Sequence, residues 1–178
     1  MEKAAELANG VLADFAAAFP KRWLTGMRAK LGLTAEEDGD MDLVQGLLAL
    51  MQASEADYTL TFRRLSHAVN GDAEPFRGMF IDIAGADEFL ARWRERAGRE
   101  GISDSERSAA MLSVNPAIIP RNHRIEELIE AAVEEDDFEP FHAMLKAIAT
   151  PFEERPDNFV YMQPPMSHER VFRTFCGT

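Results

Sequence analysis

The chain has 178 residues, and its 31 acidic and 19 basic residues give a formal net charge of −12. A length near that of one average domain predicts a single folded unit with its own core. The negative charge disfavours nucleic acids and anionic membrane surfaces as partners, because both attract proteins largely through Lys and Arg. The longest apolar run, Leu43 to Met51, is too short to span a bilayer. The one cysteine excludes an internal disulfide, and we expect a cytoplasmic protein.

The first thirty residues predict helix, because apolar residues recur there at three- and four-residue steps from Ala4 to Phe19. Pro20 has no backbone N–H, so we expect a break or kink before Lys21. A second helical stretch then ends near Gly32. The acidic turn that follows, residues 36–40, is too polar to pack, and we expect it to be solvated.

The middle of the chain contains two sequences with the form of a capping box. Asp40 is a candidate N-cap for a helix that includes residues 43–51. Ser54-Glu55-Ala56-Asp57 is the first capping box and predicts a helix closed by Asn70-Gly71. Residues 71–85 predict a connection with a short helix around Phe76 to Ile83.

Ala86 to Ala97 is predicted as an amphipathic helix, stopped by Gly98 and Gly101. Ser103-Asp104-Ser105-Glu106 is the second capping box and predicts a helix to about Leu112. Two more helices are predicted on either side of Asp136-Asp137, the second reaching Ile148.

No pair of alternating apolar and polar runs flanks a hairpin turn, so the sequence predicts no sheet. The fold class is therefore all-α, a bundle of about seven helices. We divide the chain into a helical domain, residues 1–150, and an extended Pro-rich C-terminal tail, residues 151–178, which ends in Cys176.

The sequence contains no recognisable catalytic motif, neither a nucleophile elbow nor a phosphate-binding glycine loop. His123 and Glu127 are one helical turn apart, and His142 could approach them, which leaves a metal-dependent enzyme as an open alternative. We nevertheless expect no metal site and interpret the histidines as solvated surface residues. The carboxylate runs at residues 36–40 and 134–137 lack the spacing of a calcium loop and are interpreted as solvated helix ends.

Cys176 is the one residue with a candidate chemical role. It is third from the C-terminus, in a tail that we expect to be accessible. An accessible thiol can form mixed disulfides, so Cys176 is a redox candidate.

From Asn115 to Asn122 the sequence Asn-Pro-Ala-Ile-Ile-Pro-Arg-Asn resembles the C-terminal portion of the selenoprotein O family (SelO or YdiU proteins). The likeness extends in order over nearly the whole chain. Its other segments are Met27 to Leu33, Ala56 to Thr59, Phe62-Arg63, Leu65, Glu126 to Ala132, Asp137-Phe138 and Leu145 to Phe152. Pro120 and Asp136 depart from the family pattern, which usually has Leu and Gly there.

The resemblance implies a fragment of a protein adenylyltransferase with a kinase-like (pseudokinase) fold. Such enzymes transfer AMP from ATP to hydroxyls of protein side chains. The resemblance also implies that ATP and Mg²⁺ (or Mn²⁺) bind in the N-terminal portion, which precedes this chain. We therefore expect no catalytic residue and no cofactor here.

The same resemblance implies a partner and a role for Cys176. The partner is the kinase-like N-terminal portion, on which this region would pack. Cys176 matches the family's cysteine or selenocysteine three residues from the C-terminus, which pairs with a cysteine of the kinase-like part. The alternative is a self-standing interaction module from a split or truncated gene, which would self-associate through the apolar face left exposed.

Overall fold

The computed structural model describes residues 2–173, which contain α-helices and no strand. The all-α prediction is thus confirmed. In chain order the helices are α1 (Glu2–Lys30), α2 (Asp40–Ala53), α3 (Tyr58–Ala68), α4 (Glu74–Arg77), α5 (Ile83–Gly98), α6 (Asp104–Val114), α7 (Asn122–Glu134), α8 (Glu139–Ile148) and α9 (Phe159–Met162). Short 3₁₀ turns span Pro156–Asn158 and Ser167–Glu169. Seven of these helices have ten residues or more, and α4 and α9 are single turns.

Of the break or kink expected before Lys21, the break is wrong, because helix α1 is continuous through Pro20. A proline inside a helix removes one backbone hydrogen bond, and the freed carbonyl can bond to water where the helix is exposed. Residues 3–22 are all exposed. The helix ends at Lys30, and Gly32 follows with φ of +67°.

The helix caps agree with the sequence in one case and differ in two. The Ser103 hydroxyl accepts the Glu106 amide, and the Glu106 carboxylate accepts the Ser103 amide, as predicted. The first box does not form, because α3 is capped by Asp57, whose carboxylate accepts the Leu60 amide. Ser54 instead ends α2, and its hydroxyl accepts the Ile81 amide. Asp40 is not an N-cap either, since Gly39 holds that position without a side-chain bond.

The main core lies between the C-terminal part of α1 and helices α2 to α6. Its largest members are Trp93 and Phe62, each 1% exposed. The indole N–H of Trp93 donates to the carbonyl oxygen of Leu31 at 2.9 Å. This bond satisfies the buried indole and attaches α5 to the segment just after α1.

A smaller apolar cluster lies beyond α6. Ala117, Ile118 and Ala147 are buried there, with Tyr161 and Met162 packed against them. The amides of Ala117 and Ile118 both donate to the carbonyl of Pro151, at 2.8 and 3.0 Å. The segment after α8 therefore folds back onto the residues that precede α7.

Arg63 of α3 joins the two clusters. Its guanidinium donates to the carbonyls of Leu112, Asn115 and Phe152 at 2.9 to 3.0 Å, and it also pairs with Glu154. One buried cation thus connects α3 to the end of α6 and to the segment after α8. Within residues 2–173 no helix combines the length and the apolar character needed to cross a membrane.

Gly32 provides a test of this packing. A Cβ at Gly32 would lie 2.8 Å from the side chains of Arg107 and Met111, at a φ that L residues rarely adopt. We expect Gly32→Ala to lower the free energy of unfolding by about 2 to 4 kcal/mol, from strain and overpacking together. Urea unfolding followed by circular dichroism measures the change.

Gly26→Ala is the matched control, because nothing lies within 4 Å of a Cβ at this α1 position. Alanine there should raise stability by about 0.5 to 1 kcal/mol through helix propensity. Equal effects of the two substitutions would contradict the packing described around Gly32.

Candidate functional site

One face of α1 carries a run of exposed apolar side chains. Leu7, Val11, Leu12, Phe15 and Phe19, which we call the α1 stripe, are between 51% and 68% exposed. Their spacing of three and four residues places them on one side of the helix. The rings of Phe15 and Phe19 lie 5.4 Å apart, so the aromatic end of the stripe is continuous.

The N-terminal part of α1 carries this stripe away from the core. Residues 3–22 are exposed, and the first buried residue of α1 is Met27. At about 1.5 Å of rise per residue, those twenty residues extend for about 30 Å. Most of a helix's stability in proteins comes from packing of its apolar face, and a contiguous exposed apolar face is typical of a protein interaction surface.

A second, smaller apolar face lies on α7 and α8. Ile129 and Val133 of α7 are 46% and 78% exposed, and Phe141 and Leu145 of α8 are 46% and 52% exposed. The two helices pack against each other. The fold therefore leaves two separate apolar faces open to solvent.

The projection of α1 depends on a buried ionic cluster at its C-terminal end. Asp40 is 1% exposed, and its two carboxylate oxygens accept from Arg28 at 2.9 Å and from Arg96 at 2.7 Å. Burial opposes ionisation, but these guanidinium groups and the Glu37 amide lower the pKa of Asp40 below its usual value. Asp40 is therefore ionised and connects α1, α2 and α5.

Glu100 forms the second half of this cluster. Its carboxylate accepts the amides of Thr34 and Ala35 at 3.0 to 3.1 Å and also pairs with Arg96 and Arg107. Burial alone would raise the pKa of Glu100, yet these amides and guanidinium groups lower it to about 2. The turn after α1 is thus fixed through its backbone.

The expectation that residues 36–40 are too polar to pack is wrong for Asp40, because two arginines neutralise its charge inside the protein. The signal was present in the sequence. Arg28 follows Leu24 by four residues, and Arg96 follows Trp93 by three, so both arginines lie on apolar faces of their helices. An arginine at a core position predicts a buried carboxylate partner. At the other carboxylate run, Glu134, Glu135 and Asp136 are exposed, as expected.

The histidines proposed as possible metal ligands are not brought together as a site. Within residues 2–173 there is no group of three or more side chains suited to hold a metal ion. His142 is exposed, and Glu127 pairs with Arg124. His123 is only 4% exposed, so its interpretation as a solvated surface residue is wrong. Cys176 lies outside the described residues.

His123 is close in sequence to Arg121, whose ion pair with Asp57 is a second link, after Arg63, between the smaller apolar cluster and the main core. Arg121 donates to both carboxylate oxygens of Asp57, at 2.6 and 3.0 Å, which attaches the start of α7 to the cap of α3. Burial lowers the pKa of His123, and the positive charge of Arg124 lowers it further, so the ring is neutral near pH 7.

Comparison with known proteins gives a consistent set of relatives. The sequence model of the family described as protein adenylyltransferase SelO matches residues 2–149. A protein of Agrobacterium fabrum named protein nucleotidyltransferase YdiU is 90% identical over 178 residues, which is all of this chain and 37% of the relative. Proteins with the same name from Rhizobium etli and Rhizobium rhizogenes are 54% and 52% identical, and the match covers 36% of each. The chain thus spans little more than a third of the length of these relatives.

The low pKa of Glu100 predicts how stability depends on pH. Because the pKa is about 2 in the folded chain against an ordinary value of 4.5, the ionised carboxylate stabilises the fold fully above about pH 5. This contribution, about 3 kcal/mol, is lost as the pH falls towards 2.

Glu100→Gln should remove most of that acid dependence and lower stability at pH 7. Urea unfolding at several pH values between 3 and 7 measures the stability of the unchanged chain and of Glu100→Gln. Glu95→Gln, on the exposed face of α5, is the control and the third protein measured. The same slope of stability against pH in all three proteins would contradict the role given to Glu100.

Proposed function

Because the chain belongs to the SelO protein adenylyltransferase family, we propose that it is the C-terminal helical portion of a longer SelO-type enzyme. In that enzyme AMP passes from ATP to a hydroxyl group of a protein. ATP and Mg²⁺ (or Mn²⁺) bind the kinase-like portion, and the present chain is not catalytic by itself. Its role is to pack against the kinase-like portion and support it.

The α1 stripe is the observation that carries this proposal. Five large apolar side chains, each more than half exposed, form one continuous face on a helix that extends away from its own core. Burying them would contribute roughly 1 to 2 kcal/mol each, since about half of each side chain is still accessible. That gain offsets much of the entropy cost of ordering the helix against a partner.

The occupant of the stripe is the part of the longer protein that this chain does not match. The relatives are more than twice as long as the chain, so each contains a large polypeptide connected to the same helices. A surface connected to its partner by the same chain needs little affinity of its own, because the effective concentration is high.

The second candidate function is a self-standing interaction module, and the same stripe favours it. Two copies could pair their α1 helices face to face and bury both stripes at once. The two functions differ in what covers α1, a kinase-like portion or a second copy of this chain.

Reconstitution tests the first function. The part of the Agrobacterium fabrum relative outside the matched 178 residues is produced alone, and AMP transfer from ATP is measured with and without this chain added. We expect the chain to increase the rate, and Phe15→Asp to weaken the effect by about tenfold or more, because a charge in the stripe opposes docking. Ala13→Asp, on the opposite face of α1, carries the same charge and should act as the unchanged chain does.

A supporting role would be contradicted if the two polypeptides form a complex and the rate of AMP transfer is nevertheless the same with and without the added chain. Tight binding of ATP by the 178-residue chain alone would contradict the placement of the nucleotide site in the other portion.

Light scattering tests the second function. If the α1 stripe mediates self-association, the average mass should rise above 19.9 kDa with concentration, and Phe15→Asp should abolish the rise. A mass of one chain at every concentration rules out the self-associating module.

Cys176 is included in the proposal as the redox residue of the C-terminus. Since the chain has a single cysteine, any disulfide that it forms alone must join two chains. We expect mild oxidation to produce a dimer that a reducing agent reverses, and Cys176→Ser to produce none. A thiol that resists alkylation and oxidation in the folded chain would contradict this role.

A further inference from the structure

The helical hairpin formed by α7 and α8 has more apolar surface than the core covers. Met144 and Ala147 of α8 are buried, but five large apolar side chains of the hairpin are at least 46% exposed. They recur at three- and four-residue steps, which places each set on one side of its helix. We call them the hairpin face: Ile129, Val133, Phe138, Phe141 and Leu145. An exposed apolar face of this kind is typical of a protein interaction surface.

A short turn holds the two helices of the hairpin in a fixed arrangement. The amides of Glu135 and Asp137 both donate to the carbonyl of Ala131, at 3.1 Å. Asp136, between them, has a φ of +54°, the left-handed conformation in which many helices end. The carboxylate of Asp137 then accepts the amide of Glu139 at the start of α8. The hairpin face is therefore already formed, so little ordering cost accompanies the docking of a partner.

The hairpin is strongly acidic. Residues 122–148 contain eight carboxylates, one arginine and one lysine, which amounts to half of the net charge of −12. Within residues 2–173, Glu127 is the one carboxylate of the eight that pairs with a cation, namely Arg124. Lys146 and His142 are on α8, so the acidic side of the hairpin is α7 and the turn after it.

Three of these carboxylates form a row beside the apolar residues of α7. Glu126, Glu130 and Glu134 are exposed and follow one another at four-residue steps, as Ile129 and Val133 do one position earlier. Like charges at this spacing destabilise a helix by about 0.2 to 0.5 kcal/mol per pair. A cationic partner bound along the row relieves this repulsion.

We propose that the hairpin face binds a basic amphipathic helix of a separate protein. The apolar side of that helix covers Val133 and Phe141, and its lysines or arginines lie along the carboxylate row of α7. Helices α7 and α8 contain 13 and 10 residues, so a partner helix of about three turns matches their length. Such a helix carries apolar residues at positions i, i+3 or i+4, and i+7.

Charge decides between this occupant and two others. A second copy of the chain has the same acidic hairpin, so pairing two hairpin faces would bring like charges together. A further portion of the same polypeptide is already at high effective concentration and needs no electrostatic attraction to reach the face. A separate cationic helix does gain from the acidic row, because attraction raises the rate of association. The inference concerns residues outside the α1 stripe and does not depend on the proposed docking of α1.

A designed peptide tests this inference. The probe is a fluorescent peptide of about 14 residues, in which leucines form one side of the helix and lysines the other. Fluorescence anisotropy with the 178-residue chain should show saturable binding that salt weakens by screening. A matched peptide with glutamate in place of every lysine should bind at least about tenfold more weakly. Equal binding of the two peptides would overturn the proposal.

Two matched pairs of substitutions at exposed positions locate the binding. Val133→Gln removes an apolar side chain that is 78% exposed without changing the charge, and should weaken binding by about threefold to tenfold. Val11→Gln makes the same change in the α1 stripe, at a position that is 68% exposed, and should leave binding unchanged. Glu130→Gln should weaken binding by about threefold, whereas Glu88→Gln on α5 should not. Equal losses within either pair would contradict binding at the hairpin face.

The Agrobacterium fabrum relative tests whether the partner is a separate protein. The chain matches 37% of this relative, so the relative contains the further polypeptide that could cover the hairpin face. We expect the whole relative to bind the lysine peptide with an affinity within about threefold of that of the chain. Loss of peptide binding in the relative would show that its own polypeptide covers the face, and would overturn the assignment to a separate protein.

Discussion

The buried carboxylate of Asp40 is the constraint on which the rest of the structure depends. A single ionised side chain, 1% exposed, bonds to arginines from α1 and from α5. Removing one partner of a buried ion pair typically costs about 3 to 5 kcal/mol, because the remaining charge stays in a medium of low polarity. Glu100 extends the cluster by bonding to the backbone immediately after α1. The direction in which α1 leaves the core is therefore determined by electrostatic contacts as well as by apolar packing.

That direction determines the function we assign. With its last turns fixed, α1 must carry its first twenty residues, including the α1 stripe, into solvent. Two further arginines, Arg63 and Arg121, join the smaller cluster to the core. The outer face of α7 and α8 remains exposed. Charged side chains thus connect the helices to one another, whereas large apolar side chains of α1, α7 and α8 are exposed. This distribution is expected for part of a larger protein.

The helices themselves were predictable from the sequence, because apolar periodicity and a capping box are local signals. The box at Ser103 to Glu106 contains both of its partners within four residues, and it formed as predicted. Ser54 has the same local form, yet its hydroxyl bonds to Ile81, 27 residues away, and a local pattern does not reveal such a partner. Pro20 lies in an exposed part of α1, where water can bond to the carbonyl that the proline leaves free, and the helix continues through it.

The site was less predictable than the fold. Residues Leu7 to Phe19 give the same periodicity whether they pack on a core or remain exposed, so the sequence predicts the helix but not what covers it. The burial of His123, which is 4% exposed, likewise has no local signal in the sequence. Local patterns also do not show that the chain matches only about a third of the length of its relatives, which comparison of whole sequences does.

The central claim is that the α1 stripe is covered in the longer protein and open in this chain. Hydrogen exchange at the amides of residues 3–22 tests it most directly, when measured in the 178-residue chain and in the Agrobacterium fabrum relative that matches it at 90% identity. The account predicts fast exchange across these residues in the isolated chain and protection at least about a hundredfold stronger in the relative, since a docked helix opens only against its packing energy. Equal protection in the two proteins would contradict the account.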